Sequence, residues 1–82
     1  MKASEISTSL INRKVSYIKE IMTWSGPKKI KFFGTVIGVD KTEDFIDITI
    51  VVDLGKPFEN TVHHIGVNFE NGYNEIENLE IY

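Results

Sequence analysis

With 82 residues the chain has room for one domain and a small core, poor ground for a deep catalytic cleft. A hydrophobic fraction of 41% and a charged fraction of 26% exclude a disordered polymer, and the lack of cysteine excludes disulfides and thiolate metal sites. No apolar run is long enough for a membrane helix. The net charge of −3 speaks against bulk nucleic-acid binding, but it is unevenly spread. Residues 1–56 hold nine bases against seven acids, a net of +2, whereas residues 57–82 hold five acids and no base, a net of −5. Such asymmetry lets the two parts attract each other within the fold, or lets an acidic face meet a basic partner. The first residues, Met1-Lys2-Ala3-Ser4-Glu5-Ile6, lack the apolar stretch of a signal peptide, so a cytoplasmic location is expected.

Residues 1–12 read as a short helix or an ordered arm. Ser4 and Ser7 can each cap a helix start, and Ile6 and Leu10 are spaced to share a face. From Arg13 to Met22 two patterns compete. Ile11, Val15, Ile18 and Met22 fit a helical stripe; Val15, Tyr17 and Ile21 fit one face of a strand, with Ser16 and Glu20 opposite. The β-branched and aromatic content favours the strand. Thr23-Trp24-Ser25-Gly26-Pro27-Lys28 has the chemistry of a loop. A long strand follows over Lys29–Val39, interrupted by Gly34 and Gly38, which mark a bulge, a bend or a close backbone approach.

Asp40–Asp44 is a charged turn. Phe45–Asp53 carries the clearest signal in the chain: Ile46, Ile48, Ile50 and Val52 alternate with Asp47, Thr49, Val51 and Asp53. Alternate side chains on a strand point to opposite faces, so this is a strand with one dry side. Gly55-Lys56-Pro57 turns the chain into a further strand, Thr61–Glu70, with Ile65, Val67 and Phe69 on one face. Asn71-Gly72 is the preferred pair for a two-residue type I′ turn. Asn74 and Glu77 have helix-start spacing, and Leu79–Tyr82 alternates as a closing strand. About five strands with glycine bends favour a small coiled barrel over a flat sheet, because closure removes exposed edges. The expected fold is therefore mainly β: a five-stranded barrel over 13–82 with a short N-terminal helix or arm.

A strand at Arg13–Met22, a long loop with Trp24, then Phe33-Gly34-Thr35-Val36-Ile37-Gly38, the Phe45–Asp53 strand, the Gly55 turn and a late helical turn before a last strand together resemble an SH3-like barrel. The chain has no Ala-Leu-Tyr-Asp-Tyr segment and no Trp-Trp pair, so the peptide-binding residues of signalling SH3 domains do not carry over. The resemblance, to small accessory proteins of bacterial or phage type, implies a binding module for protein docking or nucleic-acid contact. The five-stranded OB-fold is the nearest competitor; Lys31-Phe32-Phe33-Gly34 is the one spot like its nucleic-acid-stacking strands.

The leading candidate interface is Trp24 with Lys28, Lys29, Lys31 and Phe33. A tryptophan in such a loop serves as an interface anchor. Its lysines could instead hold an anion or the backbone of a nucleic-acid strand while the rings stack on bases. The bland alternative is that Trp24 folds back as a lid on the barrel and the lysines are merely solvated. A secondary acidic face comprises Glu70, Tyr73, Glu75 and Glu77.

His63 and His64 are strand neighbours that point apart, so they cannot readily share a metal, and no metal site is expected. Asp47 and Asp53 lie roughly 20 Å apart along a strand, too far for paired acid–base work. No serine sits in a nucleophile turn, and Gly34 and Gly38 do not form a phosphate loop. The expectation is a non-catalytic module without cofactor that acts through protein–protein contacts, as a phage or mobile-element accessory or inhibitor protein or through a homo-oligomeric interface. The alternatives are a single-stranded nucleic-acid binder using Trp24 and Lys28–Lys31, and a small-ligand sequestering oligomer.

Overall fold

Four residues of one strand, Ile46, Ile48, Ile50 and Val52, are almost wholly buried, while the residues between them stay half-exposed. They belong to β3 (Phe45–Val52), which runs through the middle of the sheet in a computed structural model that describes all 82 residues. The other strands are β1 (Lys14–Thr23), β2 (Gly26–Lys41), β4 (Val62–Asn68) and two short pieces, β5 (Tyr73–Asn74) and β6 (Glu80–Ile81). Every pairing is antiparallel and the order is β5-β4-β3-β2-β1-β6. Between Arg13 and Met22 the strand prevails over the helix: Val15 and Tyr17 are buried, whereas Met22, which the helical stripe would bury, is exposed.

The expected five-stranded closed barrel is corrected to a six-stranded open sheet. The extra strand comes from dividing the C-terminal region into β5 and β6, two residues each. The N-terminal helix is likewise corrected. Residues 1–12 form an arm with two 3-10 turns, Ala3–Glu5 and Thr8–Leu10, the second capped by the Ser7 hydroxyl accepting from the Ser9 N–H. Ile6 and Leu10 leave this arm to join the core, and Ile76 and Leu79 join it from the segment linking β5 to β6. The terminal amine of Met1 ties the two segments together by donating to the carbonyls of Ile76, Glu77 and Leu79. The turn after β4 is longer than expected. Asn68 pairs with Tyr73, leaving four residues between them; the Asn68 side chain accepts from Glu70 and Asn71, and only Gly72 takes positive φ. Phe69, expected on the dry face, falls in this turn and is exposed. The helical turn expected at Asn74–Glu77 does not form: Asn74 ends β5 with its side chain accepting from the Ile76 N–H, and a turn at Glu77–Asn78 follows, closed by the Leu79 N–H on the Ile76 carbonyl.

The sheet is open yet strongly curled. On a flat sheet β1 and β4 would stand roughly 14 Å apart, three strand spacings. Here the Tyr17 hydroxyl on β1 lies 2.7 Å from His63 Nδ1 on β4, and the Lys19 ammonium donates to the His64 carbonyl, also at 2.7 Å. Close approach between strands makes this curl possible. A Cβ on Gly34 would lie 2.6 Å from both the Val51 carbonyl oxygen and Ile50 Cγ2, and one on Gly66 would collide with the Ile46 carbonyl. Gly38 has a different role. It follows a bulge at which Val36 pairs with Ile50 and Gly38 with Thr49, leaving Ile37 over and exposed. The extra residue shifts the alternation, so Val39 packs against the core where a regular strand would turn it outward.

Gly66→Ala is accordingly expected to lower stability by about 1–3 kcal/mol, the usual cost of forcing atoms into a filled site. Gly38→Ala, which meets only Thr49 at ordinary contact distance, should leave the thermal midpoint unchanged or raise it. Thermal unfolding followed by circular dichroism checks both.

Candidate functional site

The β1–β2 hairpin outgrows the sheet. β3 reaches β2 from Gly34 onward, and β6 reaches β1 only at Val15 and Ser16. The far half of the hairpin, Ile18–Thr23 with Gly26–Lys31, is therefore a two-stranded ribbon paired to nothing but itself. Its tip is tighter than the loop expected over Thr23–Lys28. Thr23 pairs with Gly26, Trp24 and Ser25 make the turn, Gly26 takes φ +103°, and the Thr23 hydroxyl donates to the Gly26 carbonyl. Trp24 is fully exposed at 107% of its reference area, which rules out the lid. Met22, 78% exposed, and Pro27 face each other across the ladder beside it. Met22 and Pro27 were not among the sequence candidates, although their closeness to a turn residue was visible.

Strand alternation divides the expected lysine cluster. Lys29, Lys31 and Phe33 lie on the outer face, whereas Lys28 shares the face of Ile30 and Phe32. Phe33 is also roughly 23 Å from the tip along an extended strand, so Trp24 and Phe33 do not make one compact site. Phe33 has company that sequence did not reveal. Lys56 from the β3–β4 connection and Lys31 place their ammonium groups 4.9 and 5.8 Å from its ring centre, and Tyr82 meets it edge to face at 5.5 Å. Beside it Asp53 accepts from Lys14 and Thr35 through one oxygen and from the Tyr82 hydroxyl through the other. Burial pushes the Asp53 carboxyl up, but these donors together outweigh burial and hold it below its ordinary range.

Of the expected acidic face, Tyr73, Glu75 and Glu77 flank the same hairpin. Glu75 is half-buried and ion-paired to Lys19 at 3.1 Å; Tyr73 and Glu77 stand beside it, and Glu70 lies in the turn after β4. The Tyr73 phenol is raised by burial, then by a hydrogen bond to Glu75 and the charges of Glu75 and Glu20.

The two histidines separate as alternation demands. His64 faces outward within 3.1 Å of Asp47 and 3.2 Å of the Thr49 hydroxyl. His63 turns inward among aromatic rings, with its ring centre 4.6 Å from that of Phe32 and 5.8 Å from that of Tyr17. Burial, and then the negative charge of Asp53, raise the Tyr17 phenol well above its ordinary value. Tyr17 therefore keeps its proton and shares a hydrogen bond with His63 Nδ1; with the ring neutral and its proton on Nε2, the hydroxyl is the donor. No three His, Asp or Glu side chains converge as a metal site would need, and no helix is long and apolar enough to cross a membrane.

Comparison with known protein families, curated proteins and solved structures finds no match for this chain. Its own geometry carries the functional reading.

Burial, and secondarily the charge of Lys19, lower the His63 pKa, so the unfolded chain takes up the proton first as pH falls. The stability due to neutral His63 is complete above the ordinary histidine value and is lost as pH falls from there toward the folded pKa. Asp53, lowered in the fold, gives stability that is lost only in the more acidic carboxylate range. Unfolding midpoints should therefore fall between about pH 7.5 and about pH 5.5, and His63→Gln should flatten that part of the profile.

Proposed function

We propose that this chain is a non-catalytic binding module of the cytoplasm that grips another protein through its projecting ribbon, with Trp24 as the anchor. The complete exposure of Trp24 at a tip shared with Met22 and Pro27 carries this reading. An isolated exposed apolar side chain needs no explanation, but three adjoining ones at the end of a hairpin do. Tryptophan loses few rotatable bonds and much apolar surface when a pocket closes on it, so it dominates binding energy where it is buried. Beyond Ile21, Ile30 and Lys19, which tie the ribbon to the body, its tip has only its own ladder to hold it, and two strands alone are marginally ordered in water. Seating the tip in a partner supplies the missing packing.

The curled small sheet, with its bulged second strand and buried isoleucines, supports placing the chain beside SH3-like accessory proteins, including those of phages and mobile elements, as docking or inhibitory modules. A second reading has an observation of its own. Lys31, Lys56, Phe33 and Tyr82 on the outer face combine rings and ammonium groups as single-stranded nucleic-acid sites do. The neighbouring Asp53 weakens that patch, and Lys28 is turned away from it.

Trp24→Ala is expected to leave unfolding within about 0.5 kcal/mol of the parent, because Trp24 packs on nothing in the fold, while abolishing capture of the partner from host lysate. Capture that survives Trp24→Ala contradicts the ribbon reading. Anisotropy of a labelled oligonucleotide should stay flat at low salt. A rise that salt reverses and that Lys31→Ala with Lys56→Ala removes would favour the nucleic-acid reading instead.

A further inference from the structure

Beside the ribbon lies a strand edge with nothing bonded to it. β6 leaves β1 after Ser16, so from Tyr17 to Thr23 the edge away from β2 has no strand partner. Side chains cover the first part: Tyr17 reaches His63, and Lys19 reaches the His64 carbonyl and Glu75. Past Lys19 that cover ends. The backbone of Glu20–Thr23 has hydrogen-bond partners on β2 alone, and a strand with an open edge is a template for another.

The two open edges of the ribbon differ. On β2 the edge carries Pro27, which has no N–H to offer, and Lys28, Lys29 and Lys31, residue types that keep strands from joining. The β1 edge has no proline and is walled by the chain segment beginning at β5. Between the two runs a groove made of adjoining hollows of about 490 and 250 Å³, which share Glu20, Tyr73 and Glu75. Ile21, Met22 and the side chain of Pro27 line one end and Ile18 the other, with the carboxylates of Glu20 and Glu75 common to both hollows. Of the groove's two lysines, Lys19 is taken up by its ion pair with Glu75, and Lys29 stands across the ladder from Glu20 without an ion pair, so the carboxylates of Glu20, Glu75 and Glu77 outnumber the ammonium groups. Glu77 has no basic partner, and residues 57–82 hold five acids and no lysine or arginine.

We propose that this groove receives an extended basic segment of a partner protein as an added strand on β1, its backbone pairing with Glu20–Thr23 and a cationic side chain meeting Glu77. Main-chain hydrogen bonds supply affinity in this mode, and alternate side chains supply selection. The proposal rests on reading the chain as a protein-binding module, but it uses the side of the ribbon and leaves Trp24 free for the tip.

The probe is a capped hexapeptide of alternating lysine and valine, titrated into the isotope-labelled full chain and followed by amide shifts and amide exchange. Shifts should concentrate at Glu20–Thr23 and Tyr73–Glu77, with slowed exchange in β1. The same peptide N-methylated at alternate backbone nitrogens, and a glutamate–valine counterpart, should not bind. Glu77→Gln should weaken binding about twofold to fivefold, the range for a partly exposed charge pair. Trp24→Ala should bind the peptide unchanged, which separates this groove from the tip. Undiminished binding of the N-methylated peptide, shifts lying elsewhere, or loss of binding in Trp24→Ala would overturn the proposal. So would a sedimentation experiment in which the chain alone associates through these residues, since a second copy would then be the occupant.

Discussion

At Gly34 and Gly66 adjacent backbones approach so closely that a methyl group on either would strike a carbonyl oxygen of the next strand. The rest of the architecture depends on that approach. It lets a sheet of only four substantial strands curl until the first and fourth come within side-chain reach, and so enclose a core of 14 buried side chains. A chain this short could not bury them on a flat sheet, which has one dry face and needs a second layer to cover it. The N-terminal arm and the β5–β6 segment provide the remaining cover with Ile6, Leu10, Ile76 and Leu79.

The curl stops short of closure, and the exposed ribbon and its open edge arise from that shortfall. Where a barrel would run a backbone ladder between β1 and β4, this protein has the Tyr17–His63 hydrogen bond and the Lys19 ammonium bridging the His64 carbonyl and Glu75. Side chains hold the seam without using up the β1 backbone. The outer half of the β1–β2 hairpin then runs on past the last backbone ladder, with Ile21 and Ile30 still packed against the core, its tip apolar and its edges unpaired. In a closed barrel β1 would have no edge to offer.

Local patterns in the sequence reveal the parts that local chemistry governs. The isoleucine alternation of Phe45–Asp53 marks β3 and its dry face, because a period of two has no other stable reading over eight residues. Glycine inside a strand signals a bulge or a close approach, and Gly38 and Gly34 turn out to be one of each. At Arg13–Met22 the β-branched and aromatic content tips a close local contest toward the strand, and pairing with β2 is what holds it there, which sequence spacing cannot express. The Ser25-Gly26-Pro27 chemistry marks a turn correctly but not its length: Gly26 alone supplies the positive φ, so the strands continue to within two residues of each other. The same limit applies at Asn71-Gly72, where Asn68 captures the turn with its side chain and lengthens it. The candidate site was legible residue by residue at Trp24 and at Glu75, but not as a constellation. Lys28 leaves the group because neighbours on a strand face opposite ways, and Lys56, Asp53 and Tyr82 join Phe33 only through the curl.

A curled body with a free ribbon implies two levels of backbone protection in one chain. Amide hydrogen exchange on the full-length protein without any partner tests this directly. The account predicts slow exchange at Ile46–Val52 and at Val15–Tyr17, and fast exchange in the ribbon beyond Ile18 and before Phe32, with the change falling where β3 and β6 end their contact with the hairpin. Uniformly slow exchange out to Thr23 and Gly26 would mean that the hairpin is embedded in structure along its whole length, and would contradict the account.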